Sequence, residues 1–291
     1  MLSHARGTVA SMKRGAWLWL IPLLCFAHDA WAWGLYTHVF FAQWLTWALP
    51  LADPALRRAV RRYPRRVMAG ACLPDLALLP QQTFSATHRW EEAHRLVKEA
   101  GCDEARATAV GIASHLWLDI LAHHHFVPAH EHLWWDVPML THAAAEWAMD
   151  AHLARQAFMS PGELLRGDPW LVDYVSDHFY CTQGLAQRSL RLLGRADAAL
   201  RALCLPELIY AGGRRFDRHL EGRFDYYLTE GQRRLKDLNR VLAGETPAWR
   251  PDPARRDTRP VIACHPRHVV AGRLPLPDDY FAALRGASEG E

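Results

Sequence analysis

His115 and Asp119 stand four residues apart, and so do His142 and Glu146. Residues at that spacing share one face of a helix, and imidazole with carboxylate is a donor pair that suits zinc. The first pair lies in a stretch, Ala109 to Ala122, that is apolar almost all round and so reads as a buried helix. An ionised carboxylate there needs a strong partner, because burying an unpaired charge is costly. A bound cation would serve. A neutral histidine hydrogen-bonded to the aspartate would serve equally, and the pair alone does not separate the two. The second pair encloses Ala143-Ala144-Ala145, small residues that let another helix come close. Histidine is over-supplied, with 17 in 291 residues and seven of them between His115 and His142.

Further donors precede these. Asp75 falls in the loop Ala71-Cys-Leu-Pro-Asp75, and His88 opens a helix in Thr87-His88-Arg89-Trp90. The N-terminus reads as an export signal: Lys13 and Arg14 form a basic start, Ala16 to Ala27 an apolar run, and Ala30-Trp31-Ala32 a cleavage site. That run is too short to span a bilayer, which takes about 20 residues. The mature chain would then begin at Trp33, with His38 five residues on. A run of three, His123-His124-His125, follows Asp119. On a regular helix His123 lies nearer the face of His115 and Asp119 than His125 does. His130 and His132 could support the ligands from behind, but they read rather as surface histidines. Taken singly, each of these is as readily a packed or solvated residue as a ligand.

Their order is more specific. Trp at a cleaved N-terminus, then His, Asp, His, H-x3-D-x5-H and H-x3-E resembles the ligand order of the bacterial zinc-dependent phospholipases C. The residues that carry the resemblance are Trp33, His38, Asp75, His88, His115, Asp119, His125, His142 and Glu146. It implies an all-α, multi-helix domain and about three zinc ions. Trp33, through its terminal amine and carbonyl, would hold one with His38. Asp75, His88 and His115 would hold the second, Asp119 bridging the two, and His125, His142 and Glu146 the third. A terminal amine has a pKa of about 8 and can coordinate near neutral pH, so signal cleavage would create a ligand. The implied activity is hydrolysis of a phospholipid or other phosphodiester by activated water, with Asp75 as general base and contact with a membrane surface transient. Leu118 stands where the family usually has Gly, and His123 where it has Pro. The family spacing selects His125 over His123. Single-strand-specific zinc nucleases are similar in fold and ligand order but end in H-x3-D, so a nuclease or 3'-nucleotidase is the alternative. A non-catalytic zinc-binding protein that keeps the ligands is another.

The elements that would position these donors are helical throughout. Helices are expected over 35–49, 54–63, 88–100, 103–126 (capped by Asp103, closed by Pro128) and 138–158. Others follow at about 168–194, 196–210 and 217–242, with 70–82 a loop. A helical domain over 33–243 would be followed by a Pro- and Arg-rich tail, 244–291, wrapping the body and holding one short helix near 278–285.

Composition narrows the rest. Half of the residues are apolar and 22% charged, which fits a globular chain. A formal charge of +3 implies no obligatory nucleic-acid partner. Arg57, Arg58, Arg61, Arg62, Arg65 and Arg66 could meet anionic groups, but their apolar neighbours fall on the opposite side, as on an ordinary solvated face. Trp134-Trp135 reads as packing rather than a lipid contact. The mature chain would keep five cysteines, Cys72, Cys102, Cys181, Cys204 and Cys264, an odd number with no C-x-x-C. Their pairing and the oligomeric state are not written in the sequence.

Overall fold

A computed structural model describes residues 34–48, 51–134, 138–251 and 272–282. The N-terminal stretch read as an export signal, Trp33, Trp135 and Cys264 lie outside them. All regular structure among the described residues is helical, as the resemblance implies. In chain order the helices are α1 (Leu35–Ala48), α2 (Pro54–Arg62), α3 (Pro64–Gly70), α4 (Trp90–Glu99), α5 (Asp103–Leu121), α6 (Val127–Leu133) and α7 (Pro138–Leu153). There follow α8 (Pro161–Leu165), α9 (Pro169–His178), α10 (Gln183–Ala202), α11 (Leu205–Phe216), α12 (Leu220–Arg234) and α13 (Leu238–Leu242).

α5 is the axis of the fold. From Ala107 to Leu121 every one of its residues is buried, and α1, α2, α3, α4, α12 and α13 all pack on it. The apolar run read from the sequence therefore is a central helix. Its cap differs from expectation by one residue: Cys102 Sγ accepts from the amide of Ala105, while Asp103 pairs with Arg58 and Arg106. Pro128 does not end the helix. The chain passes through a single π-helical turn, Ala122–Phe126, into α6, with Pro128 in the first turn where its missing N–H costs nothing.

Two glycines set the closest helix crossing. A Cβ on Gly111 would lie 2.1 Å from the carbonyl oxygen of Val67, and one on Gly70 would lie 2.2 Å from that of Thr108. Only glycine lets the backbones of α3 and α5 meet this closely. α3 was not expected from the sequence, and the span 168–194 divides at Tyr180, whose φ of 51° breaks the helix into α9 and α10. Residues 278–282 are not helical, against the short helix expected there. The described parts of the tail lie on the helical body: Tyr280 is buried and Trp249 packs on the core. No disulfide joins the described cysteines, and no described helix is long and apolar enough to cross a membrane.

Candidate metal centre

The glycine-mediated crossing brings the end of α3 onto the middle of α5. There the carbonyl of Ala71 lies 2.8 Å from Nδ1 of His115. A carbonyl only accepts, so Nδ1 carries the hydrogen and Nε2 is left with its lone pair. The chain then turns into a 3-10 segment, Pro74–Leu78, which tucks Asp75 beneath α5 with Oδ1 3.7 Å from His115 Nε2. α1 delivers His38 and the stretch before α4 delivers His88. Their Nε2 atoms lie 3.2 Å and 3.5 Å from the two oxygens of Asp119, and His115 Nε2 lies 3.0 Å from the second. The rings of His38 and His115 stack at 3.7 Å.

Four segments distant in sequence thus converge on one buried point. Two donor groups result, His38–His115–Asp119 and Asp75–His88–His115. Asp119 turns one oxygen to each side, the arrangement a bridging carboxylate needs. Neither oxygen of Asp119 makes a well-angled hydrogen bond, and the same is true of Asp75 Oδ1 and His115 Nε2. Buried polar atoms are nearly always satisfied. Nitrogen and carboxylate oxygen atoms crowded together in this way are what a cation between them would complete, and they are a donor set fitted to zinc.

The electrostatics agree. Burial pushes the carboxyl of Asp75 up to about 8, although the nearby His115 pulls it down. Burial also lowers His88 to about 3, outweighing the attraction of Asp119, so this imidazole is neutral and free to donate a lone pair. Asp119 behaves oppositely: burial alone would raise it, but positive charge on His115 and His38 holds it well below the usual carboxylate range, and a cation among neutral imidazoles would have the same effect.

A third group forms at the start of the π turn. His142 Nε2 lies 2.7 Å from Glu146 Oε1, and His123 Nε2 lies 4.0 Å from the same oxygen. His123, His142 and Glu146 are close enough to share one ion. The family spacing expects His125 here, whereas in the structure His123 is the histidine within reach of the acid and His125 packs against Trp249 and Tyr280. The reason is helical geometry. Residues two apart point to opposite sides of a helix, so His123 and His125 cannot both enter one site. Burial lowers His125 to about 3, with His124 and Arg234 adding to the effect. The three alanines of α7 are buried, as their size suggested.

One turn beyond Glu146 on α7, Asp150 does a different task. Its buried carboxylate accepts from the amides of Tyr36 and Thr37 and from the Thr37 hydroxyl, and Arg201 pairs with it. It therefore caps the N-terminus of α1. A Cβ on Gly34 would lie 2.2 Å from this carboxylate, so the backbone at Gly34 is held tightly where α1 carries His38 inward. Sequence reading missed Asp150, though its place four residues after Glu146 was a signal.

His130 is corrected. It is wholly buried, Nδ1 donating to Phe126 O and Nε2 accepting from Arg223 at 2.9 Å. His132 is exposed, as expected. Trp134 packs against His130 and donates to Asp217. On α2 and α3, Arg58 and Arg62 face solvent around Asp103, and Arg66 pairs with Asp168.

Comparison with curated proteins and with solved structures gives no match. The family described as zinc dependent phospholipase C matches residues 37–188. That span holds every donor named above from His38 to Glu146, and it covers more than half of the sequence. The chain belongs to the zinc-dependent phospholipase C family.

Proposed function

We propose that the chain is an exported phosphodiesterase that hydrolyses phospholipid in the manner of a phospholipase C, using about three zinc ions. The observation that carries this reading is the convergence of His38, Asp75, His88, His115 and Asp119 on one buried point, with His123, His142 and Glu146 beside them. Bound zinc lowers the pKa of a water towards about 7 and neutralises charge that builds on phosphate oxygens. The chain's own residues do the rest. His115 is fixed by the Ala71 carbonyl in the tautomer that offers Nε2. Asp119, with one oxygen towards His38 and the other towards His88 and His115, would hold metal on both sides. Asp75, tucked beneath α5 with Oδ1 3.7 Å from His115 Nε2, is the residue we assign as general base beside its ligand role.

In this proposal Trp33 supplies the remaining donors once an export signal ends at Ala32. The tight hold of Asp150 on the start of α1 supports it, because it fixes the chain immediately after residue 33. The third group consists of His123, His142 and Glu146. Its carboxylate is Glu rather than Asp, which favours phospholipid over nucleic acid as substrate.

The test is release of phosphorylated headgroup from phosphatidylcholine vesicles by the zinc-loaded mature protein. Zinc-dependent release supports the reading. Cleavage of single-stranded DNA with a steep salt dependence and no lipid product would make it a nuclease instead. Full zinc content with no hydrolysis of any phosphodiester, including bis-nitrophenyl phosphate, would leave a binding protein.

A further inference from the structure

The matched family span stops at residue 188, yet the tail beyond it touches all three histidines of the π turn. Nδ1 of His123 lies 2.7 Å from the carbonyl oxygen of Pro251. Nε2 of His124 lies 2.9 Å from the carbonyl oxygen of Arg250. The indole of Trp249 packs on the rings of both His124 and His125. Three successive residues of the tail thus engage three successive imidazoles.

The stretch is anchored rather than loosely apposed. The Trp90 indole donates to Trp249 O, and the amide of Ala248 donates to Tyr280 O. Tyr280 meets Trp249 edge to face and packs on Trp117 of α5. Tyr227 and Tyr226 donate to Gly272 O and Leu274 O, and Arg234 donates to Pro277 O. The segment 272–282 therefore clamps 248–251 from behind.

The contact at Pro251 has a chemical consequence. A carbonyl oxygen accepts only, so the hydrogen of a neutral His123 must sit on Nδ1, and Nε2 must carry the lone pair. Nε2 is the atom that faces Glu146 and His142. A ligating histidine nearly always hands its other N–H to a carbonyl or carboxylate, which fixes both tautomer and ring orientation. His115 has this arrangement with Ala71 in the buried centre. His123 has it with a residue 128 positions away.

We infer that the tail segment Trp249–Pro251, clamped by 272–282, is the positioning element of the third metal site, holding His123 through the Pro251 carbonyl in its ligating tautomer. This rests on the proposed assignment of His123, His142 and Glu146 as metal ligands.

The experiment measures zinc per chain and the affinity of the weakest ion, by native mass spectrometry and chelator competition, on the full mature chain and four variants. Trp249→Ala removes the anchor but no ligand. It should keep helical circular dichroism and the deep metals, and should bind the last ion about 10–100-fold more weakly, the usual effect of losing an outer hydrogen-bond partner. Substituted cobalt at that position should change its visible spectrum. A chain ended after Gly244 should show the same loss, and if it does not fold, Trp249→Ala decides alone. Wild-type affinity and spectrum in a folded Trp249→Ala protein would overturn the inference. His123→Ala separates the two levels. If it too keeps every ion, the ligand assignment has failed, whereas loss of one ion there but not in Trp249→Ala defeats the tail inference only. His125→Ala should leave the zinc count unchanged, and a lost ion there would restore the family spacing and overturn the inference.

Discussion

The buried centre and the outer group are built from the same donor types but in opposite ways. His38, Asp75, His115 and Asp119 are almost without solvent exposure, and they are held by helix crossings and, at His115, by the Ala71 carbonyl inside the core. The outer group sits at a helix irregularity. Its His142 side chain is 20% exposed, and its support comes from the tail. The contrast teaches that the inner donors are part of what holds the fold, while the outer site is adjustable. Metal bound by the folded state alone adds stability by mass action, so removing the inner ions should cost stability as well as activity, and removing the outer one mainly activity.

The largest expected effect comes from the residue that joins the inner groups. Asp119→Asn keeps the shape and removes the charge that faces three imidazoles. Zinc content should fall by more than one ion per chain, and hydrolysis by roughly 10³-fold, since such ions supply several kcal/mol of transition-state stabilisation. Full zinc content in that variant would break the comparison.

Next comes the helix crossing. Gly111→Ala places a methyl against the Val67 carbonyl and should cost about 1–3 kcal/mol, read as a lowered Tm. Activity should fall with it, because His115 and Asp75 meet across that crossing. Asp150→Asn should cost about 1–3 kcal/mol, since it removes the buried charge that accepts from two helix amides and leaves Arg201 only Asp197 and Glu207 as partners. Its effect on the outer ion should be small, which would sharpen the division between the two regions.

A pH experiment probes the inner centre alone. In the metal-free protein Asp75 has its carboxyl raised to about 8, above its unfolded value of about 3.9. A raised carboxylate favours the folded state most below the unfolded value, and that contribution is lost as pH rises through about 8. Zinc needs the ionised form. Binding near pH 7 should therefore release a proton from Asp75 and tighten as pH climbs towards 8, while His88, lowered to about 3, is already neutral and releases none. Calorimetry in buffers of different ionisation heat reads the proton count at pH 7, to which the Trp33 amine adds its own share, and a release no larger than that of an Asp75→Asn protein would contradict the assignment. At the bottom of the scale stands Arg61→Ala on the solvated face of α2, expected within about 0.5 kcal/mol of the wild type and equally active.

How far these features were legible in the sequence follows the same division. His115 with Asp119, and His142 with Glu146, were readable because four-residue spacing acts within one helix, and the apolar surround of the first pair marked it as buried. The helical class was readable for the same reason. Asp75 and His38 became visible only through their order along the chain, since nothing local shows that a loop and a distant helix meet on α5. At the π turn, two cues disagreed. Helical geometry pointed to His123 and family spacing to His125, and geometry matches the structure.

What stayed hidden depended on partners far away. His130 read as a surface residue because Arg223, which buries it, lies 93 positions on. The tail read as a wrapping extension, but its contribution to His123 is a backbone carbonyl, and a carbonyl leaves no mark on residue type. Asp150 had the signal of its spacing, yet its acceptors are the amides of α1, equally silent in sequence.

The most direct test of the central claim is metal analysis of the mature protein combined with its intact mass. The account predicts about three zinc ions on a chain that begins at Trp33. One ion or none, or a full complement on a chain that keeps residues 1–32, would contradict it.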